Sequence, residues 1–177
     1  SVGNEENKMG IRTSNTTDVG FEDMRVPASA LIGKEGEGFK IAMQTLDMAR
    51  AIMGIGAVGV AQRAIDEAVA YSKQRVTFGQ PIGKFEAIQF MIADMEIKTE
   101  TARQMSLHAL KLQEEGLPYG KESAIAKCYG GDIAVQVALD AIQILGGYGY
   151  SREYPVEKLL RDAKIFQIYE GTNQVQR

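Results

Sequence analysis

Ile168-Tyr169-Glu170-Gly171-Thr172-Asn173-Gln174 sets one carboxylate in a short turn. Ile165, Phe166, Ile168 and Tyr169 supply apolar and aromatic neighbours, a glycine follows the acid, and Thr172 is placed to cap a new helix. A lone acid in apolar surroundings has a raised pKa and can act as a general base near neutral pH. A solvated loop glutamate explains the same letters, since perturbed acids are often structural.

Other segments offer binding groups. Arg75-Val76-Thr77-Phe78-Gly79-Gln80-Pro81 puts a cation, a hydroxyl and an aromatic ring in one interhelical loop. That combination can hold a phosphate and a ring system, and an exposed arginine at a helix C-terminus explains it as well. Gln143-Ile144-Leu145-Gly146-Gly147-Tyr148-Gly149-Tyr150 ends a helix. Its paired glycines are a stop signal and also suit close approach by a flat or anionic ligand. Asp47 and Arg50 stand three apart on one helix face and can simply pair. Gly54-Ile55-Gly56-Ala57-Val58-Gly59 spells the dinucleotide fingerprint, but both flanks are helical and the required strand is missing. Small residues there predict close helix packing. His108 and Cys128 lie in helices and read as packing residues, while Lys121-Glu122 and Glu114-Glu115 read as solvated face.

Composition sets the limits. The 177 residues suffice for one sizeable core, and 45% hydrophobic with 24% charged residues is ordinary for a globular chain. A net charge of -3 leaves no basic footprint for nucleic acid. No apolar run reaches a membrane span and no signal peptide opens the chain. One cysteine excludes an internal disulfide and fits a reducing compartment, and one cysteine with one histidine argues against zinc. The chain lacks an initiator Met and stops five residues past Thr172, too soon for a stable helix, so a fragment truncated at its C-terminus is expected.

These groups need elements to carry them. Thr16, Thr17, Val19, Phe21 and Val26 are β-prone and Pro27 closes the run, predicting one or two strands within residues 1–33. From Phe39 onward the pattern is helical: a long helix at about 38–74, then a stripe of Ile88, Met91, Ile92, Met95, Ala102, Met105, Ala109 and Leu112. A further stripe runs through Ile125, Cys128, Val135, Leu139, Ile142 and Leu145, and a fourth helix follows Pro155 to Ile168. Short connections predict a mainly α fold: an antiparallel four-helix bundle at 34–177, preceded by a short β segment.

Taken together these residues resemble the C-terminal part of the acyl-CoA dehydrogenase family, over essentially the whole chain. Gln143-x-x-Gly146-Gly147-x-Gly149-Tyr150-x-x-Glu153, with Lys158 and Asp162, is similar to the family's C-terminal signature. Arg75-x-x-Phe78-Gly79 resembles its flavin-contacting loop and Tyr169-Glu170-Gly171-Thr172 its catalytic turn. Lys8-Met9-Gly10-Ile11-Arg12, Phe21-Glu22-Asp23 and Val26-Pro27 resemble the end of its middle β domain. The branch acting on short- and medium-chain acyl-CoA and butyryl-CoA looks nearest.

The resemblance implies that Glu170 removes the α-proton of an acyl-CoA thioester while the β-hydride passes to FAD, giving a trans-2-enoyl-CoA. Some branches carry the base one residue before the arginine matched by Arg50; Ala49 stands there, which supports Glu170. The resemblance further implies that Arg50 and Gly171 lie by the thioester and that Asp47 faces the pantetheine. Arg75, Thr77 and Phe78 would contact a neighbouring subunit's FAD. Gln143, Gly146 and Gly147 would cover its adenine end, and Thr172 and Gln174 would touch FAD near the catalytic turn. It implies a homo-oligomer, dimer or tetramer, with electron-transferring flavoprotein as electron acceptor. Its setting would be the cytoplasm of a bacterium or the mitochondrial matrix of a eukaryote. Glu86 stands where the family usually has glutamine. A flavin oxidase of the same fold, and a helical oligomerisation module without activity, are the alternative readings.

Overall fold

The computed structural model describes Ser1–Arg177. Three long helices form the body: α1 (Gly38–Gln74), α2 (Glu86–Glu114) and α3 (Gly120–Leu145). Two shorter ones follow, α4 (Val156–Ala163) and α5 (Asn173–Gln176). No helix is long and apolar enough to cross a membrane.

The stops have local causes. α1 ends where Arg75 turns extended, and the chain reverses through β1 (Val76–Thr77) and β2 (Gln80–Pro81), paired antiparallel. Phe78 and Gly79 at the tip both have positive φ, 49° and 80°, the conformation that a two-residue hairpin loop demands. α2 opens with Glu86, whose charge at a helix N-terminus is favourable. α2 closes on Gly116 at φ 69°, with Leu117 N–H donating to the Leu112 carbonyl at 2.9 Å and Gly116 N–H to that of Gln113 at 3.1 Å. This is the Schellman pattern of a glycine-terminated helix.

α3 lies chiefly against α1, and both present small residues to each other. Ala51, Ala57, Ala61, Ala64, Ala134, Ala138 and Ala141 have no exposed surface. A Cβ placed on Gly130 would meet the Gly54 Cα at 3.2 Å, so two glycines mark the closest crossing of the helices. Gly54 also faces α2, where a Cβ would run into Ser106 Oγ. Gly54 thus has the packing role expected of it, whereas Gly59 faces open space.

Three expectations need correction. First, the buried face of α3 is only in part the expected stripe: Leu145 is buried, but Ile125 and Leu139 are exposed, and Ser123, Ala126, Lys127, Gly130, Ala134 and Ala138 point inward beside Ile133, Val137 and Ile144. The small residues are chosen for the contact with α1 because they let the backbones approach. Second, His108 is exposed on α2, off the buried row of Met95, Thr99, Ala102, Ser106 and Ala109. Third, the helix after Pro155 stops at Ala163 and tightens into a 3-10 turn over Lys164–Gln167. The Phe166 carbonyl in that turn sits where a Gly131 side chain would be, at 2.7 Å from a Cβ placed there.

Before Gly38 the chain is irregular and mostly exposed, with a 3-10 turn at Ala28–Ala30. Its β character is one antiparallel bridge, Val2 to Val19, since a ladder requires a second strand alongside. The segment is pinned to α4: the Asp162 carboxylate accepts from Ile11 N–H at 2.7 Å, and Arg161 donates to the Met9 carbonyl at 2.9 Å.

Candidate functional site

The Glu170 turn is built against the first halves of α1 and α3. Glu170 and Gly171 both have positive φ, 56° and 91°. For a non-glycine residue this conformation costs on the order of 1 kcal/mol or more and persists only where surrounding contacts enforce it. Those contacts are visible on both backbone carbonyls. The Glu170 carbonyl accepts from Gln176 Nε2 at 3.0 Å and from Arg50 Nε at 3.4 Å. The Gly171 carbonyl accepts from Lys127 Nζ at 2.6 Å. Thr172 caps α5, its hydroxyl accepting from Val175 N–H at 3.3 Å.

The carboxylate itself takes part in none of the chain's ion pairs. Tyr169, stacked edge-on against Phe166 with centroids 5.5 Å apart, has its phenol pushed up to about 12 by burial and by the Glu170 charge. It therefore stays neutral and acts as wall. Arg50 pairs with Asp47 at 2.6 Å, so one guanidinium joins the helix face to the turn. Ala49, half-buried on the same helix, offers no competing acid.

Lys127, Asn173 and Asp132 brace this turn in roles that the sequence analysis missed. Lys127 is only 1% exposed and reaches Asn173 Oδ1 at 2.9 Å as well as the Gly171 carbonyl. Asn173 donates to the Cys128 carbonyl at 2.9 Å and to Asp132 at 2.8 Å. Asp132 also accepts from Gln167 at 2.7 Å and Arg177 at 2.9 Å. Burial pushes the Asp132 carboxyl up, but these three donors outweigh it and hold it below the ordinary carboxylate range. A lysine in a helix reads as solvent-facing. The available signal was its place on the Ser123–Lys127–Gly131 row, four residues apart and otherwise small.

A second feature lies at the other end of α1. A cleft of about 610 Å³ is lined by Tyr71, Arg75, Thr77, Gly146, Gly147 and Tyr148, with Ser151 and Glu153 at its edge. The Arg75 guanidinium stands 5.9 Å from the centroid of the Tyr148 ring. Side chains added at Gly146 or Gly147 would meet nothing within 4 Å, so the floor is open. A cation, a hydroxyl, accessible glycine backbone and an aromatic wall fit the phosphate and ring portions of a dinucleotide. Phe78 at the hairpin tip is 96% exposed, available to a neighbour.

The expected site residues therefore fall into two groups. Asp47, Arg50, Glu170, Gly171 and Thr172 meet at one end; Arg75, Thr77, Gly146 and Gly147 line the cleft at the other. Gln143 and Gln174 are exposed and join neither group by a contact. Arg50 and Arg75 are 25 residues apart on one helix axis, or about 37 Å.

The family model for the acyl-CoA dehydrogenase C-terminal domain matches residues 36–177. An acyl-CoA dehydrogenase of Bacillus subtilis is 51% identical over all of this chain and 47% of its own length. The structure of butyryl-CoA dehydrogenase from Megasphaera elsdenii superimposes with a TM-score of 0.97 at 51% identity, covering 99% of this chain and 46% of that one. A chain in a structure described as the electron transferring flavoprotein of Acidaminococcus fermentans superimposes at 0.98 with 54% identity, covering 100% of this chain and 47% of that one. The chain thus spans about half the length of the relatives it matches. With the family model matched over residues 36–177 and the fold superimposing along the chain, the chain belongs to the acyl-CoA dehydrogenase family and carries that family's C-terminal helical domain.

Proposed function

We propose that this chain is the base-bearing part of an FAD-dependent enzyme that oxidises short-chain acyl-CoA thioesters to trans-2-enoyl-CoA. The observation that carries the reading is the Glu170 turn: its backbone is tied down on both carbonyls while its carboxylate is paired with nothing. A group so held is free to take a proton from carbon without first breaking an ion pair. FAD, when bound, accepts the β-hydride. The chain's own part is to accept the α-proton at Glu170, to place Arg50 beside the thioester, and to exclude water with Tyr169 and Phe166. Residues 1–33 are proposed as the tail of a middle β domain, and electron-transferring flavoprotein as the acceptor. The setting is the bacterial cytoplasm or, in a eukaryote, the mitochondrial matrix.

Anaerobic addition of butyryl-CoA to the full-length, FAD-loaded protein is expected to bleach the flavin absorbance and to yield one enoyl-CoA per flavin. An unchanged spectrum with acyl chains of every length would reject the reading.

The cleft and the turn lie too far apart along α1 to embrace one dinucleotide from a single copy. We therefore assign Arg75, Thr77 and Phe78 to the FAD of a neighbouring subunit. The outer faces of α2 and α3 support such assembly, with Phe90 62% and Ile97 64% exposed beside Leu107, Ile125 and Leu139. Apolar area of this kind marks protein contacts. Sedimentation of the chain at tens of micromolar, a concentration suited to ordinary interfaces, is expected to show dimers or tetramers; a monomer throughout would count against the assignment. Alone, the 177-residue chain is expected to act as a helical assembly body without turnover.

A further inference from the structure

We propose that Lys127 is the positioning residue of the base: its buried ammonium clamps the Gly171 carbonyl and the Asn173 side chain, and so fixes where the Glu170 carboxylate stands. The inference rests on the reading of Glu170 as the base. Lys127 is an expensive residue to bury, because an ammonium out of water must be hydrogen-bonded and charge-compensated. Its row on α3 is otherwise the small residues Ser123 and Gly131. What Lys127 obtains there is a carbonyl outside any helix or sheet, in a residue at φ 91° directly after the base.

The other anchor is specific too. Asn173 Nδ2 donates to both Cys128 O and Asp132 Oδ1, which leaves Oδ1 as the atom facing Lys127. The amide orientation is thereby dictated by the network. Asp132 holds Gln167 before the turn and Arg177 after it. Three positions within two turns of α3, Lys127, Cys128 and Asp132, thus hold both flanks of the base. Burial pushes the Lys127 ammonium below its ordinary value, while Cys128, Asp132 and Glu170 act to raise it and Arg50 opposes them. A misplacement of about 1 Å in a reacting group costs on the order of a hundredfold in rate.

The test compares Lys127→Met, Lys127→Arg and Glu170→Gln in the full-length, FAD-loaded protein, using butyryl-CoA and its α-deuterated form in anaerobic stopped-flow. Methionine keeps the volume and removes the charge and donors. Lys127→Met is expected to keep FAD and to bind a non-reacting acyl-CoA analogue within about threefold of wild type. Its flavin reduction should fall by about tenfold to a hundredfold, with an enlarged α-deuterium isotope effect. Lys127→Arg, which keeps the charge and donors, should recover most of that loss. An inactive Glu170→Gln beside a Lys127→Met protein that reduces its flavin at the wild-type rate overturns the positioning role alone. A Glu170→Gln protein of near wild-type rate overturns the base assignment, and the positioning role with it. If Lys127→Met does not fold, Lys127→Gln decides, since it keeps a donor but neither the charge nor the reach: slower flavin reduction at unchanged analogue affinity is expected. A wild-type rate in that variant, or its failure to fold as well, overturns the proposal.

Discussion

If the proposed function holds, Glu170→Gln in the full-length, FAD-loaded protein is expected to abolish flavin reduction by acyl-CoA while leaving FAD bound. Glutamine keeps the size and hydrogen-bonding shape but cannot accept the α-proton. Loss of a general base typically costs about 10²–10⁴-fold, and the cost rises where no water can replace it. The turn's backbone does not depend on the carboxylate. Its contacts run through the carbonyls of Glu170 and Gly171 to Arg50, Gln176 and Lys127, so the substitution leaves them intact. The side chain also has no ion pair whose loss would disturb the fold. Anaerobic stopped-flow at saturating substrate checks the result. A variant that bleaches its flavin at near wild-type rate places the base elsewhere.

The contrast between Glu170 and Lys127 shows what a sequence reveals about such a site. Glu170 was visible because it breaks local expectation: an acid among aromatics, then glycine, then a capping threonine. Lys127, Asp132 and Asn173 follow every local rule for solvated helix or cap residues. Their role depends on α3 meeting residues 166–177 across 35 to 45 positions of chain, which no local pattern encodes. The helices themselves were legible from their three- and four-residue spacing. The phase of α3 was not, because Ile125 and Leu139 are larger signals than Ala126 and Ala138, although the smaller residues make the contact with α1. Likewise Arg75 and Gly146 could be suspected separately from their loops. Only the bend after Leu145, with Gly146 at φ 61° and ψ -135°, brings them to one cleft.

Gly54 and Gly59 offer a second large effect, with a control in the same helix. The two glycines belong to one run that spells a nucleotide-binding fingerprint, yet both are interior to α1. In a helix interior, alanine is better than glycine by about 1 kcal/mol. Gly59→Ala is therefore expected to stabilise the chain by up to that amount, since its Cβ would meet nothing. Gly54→Ala should do the opposite. Its Cβ would collide with Ser106 Oγ on α2 and stand 3.1 Å from the Ala126 carbonyl oxygen on α3. Ser106 cannot simply swing aside at no cost, because its hydroxyl donates to the Ala102 carbonyl at 2.9 Å in a fully buried setting. Relief requires moving backbone, and overpacking of this kind costs about 1–3 kcal/mol. That exceeds the helix-propensity gain, so the net change is a loss of stability. Gly54→Val adds a branched side chain at the meeting point of all three long helices and should be worse. Denaturant unfolding of the chain, with the midpoint compared at unchanged slope, reads all three variants. Equal shifts for positions 54 and 59 would show that the close crossing of α1, α2 and α3 at Gly54 is not what selects glycine there.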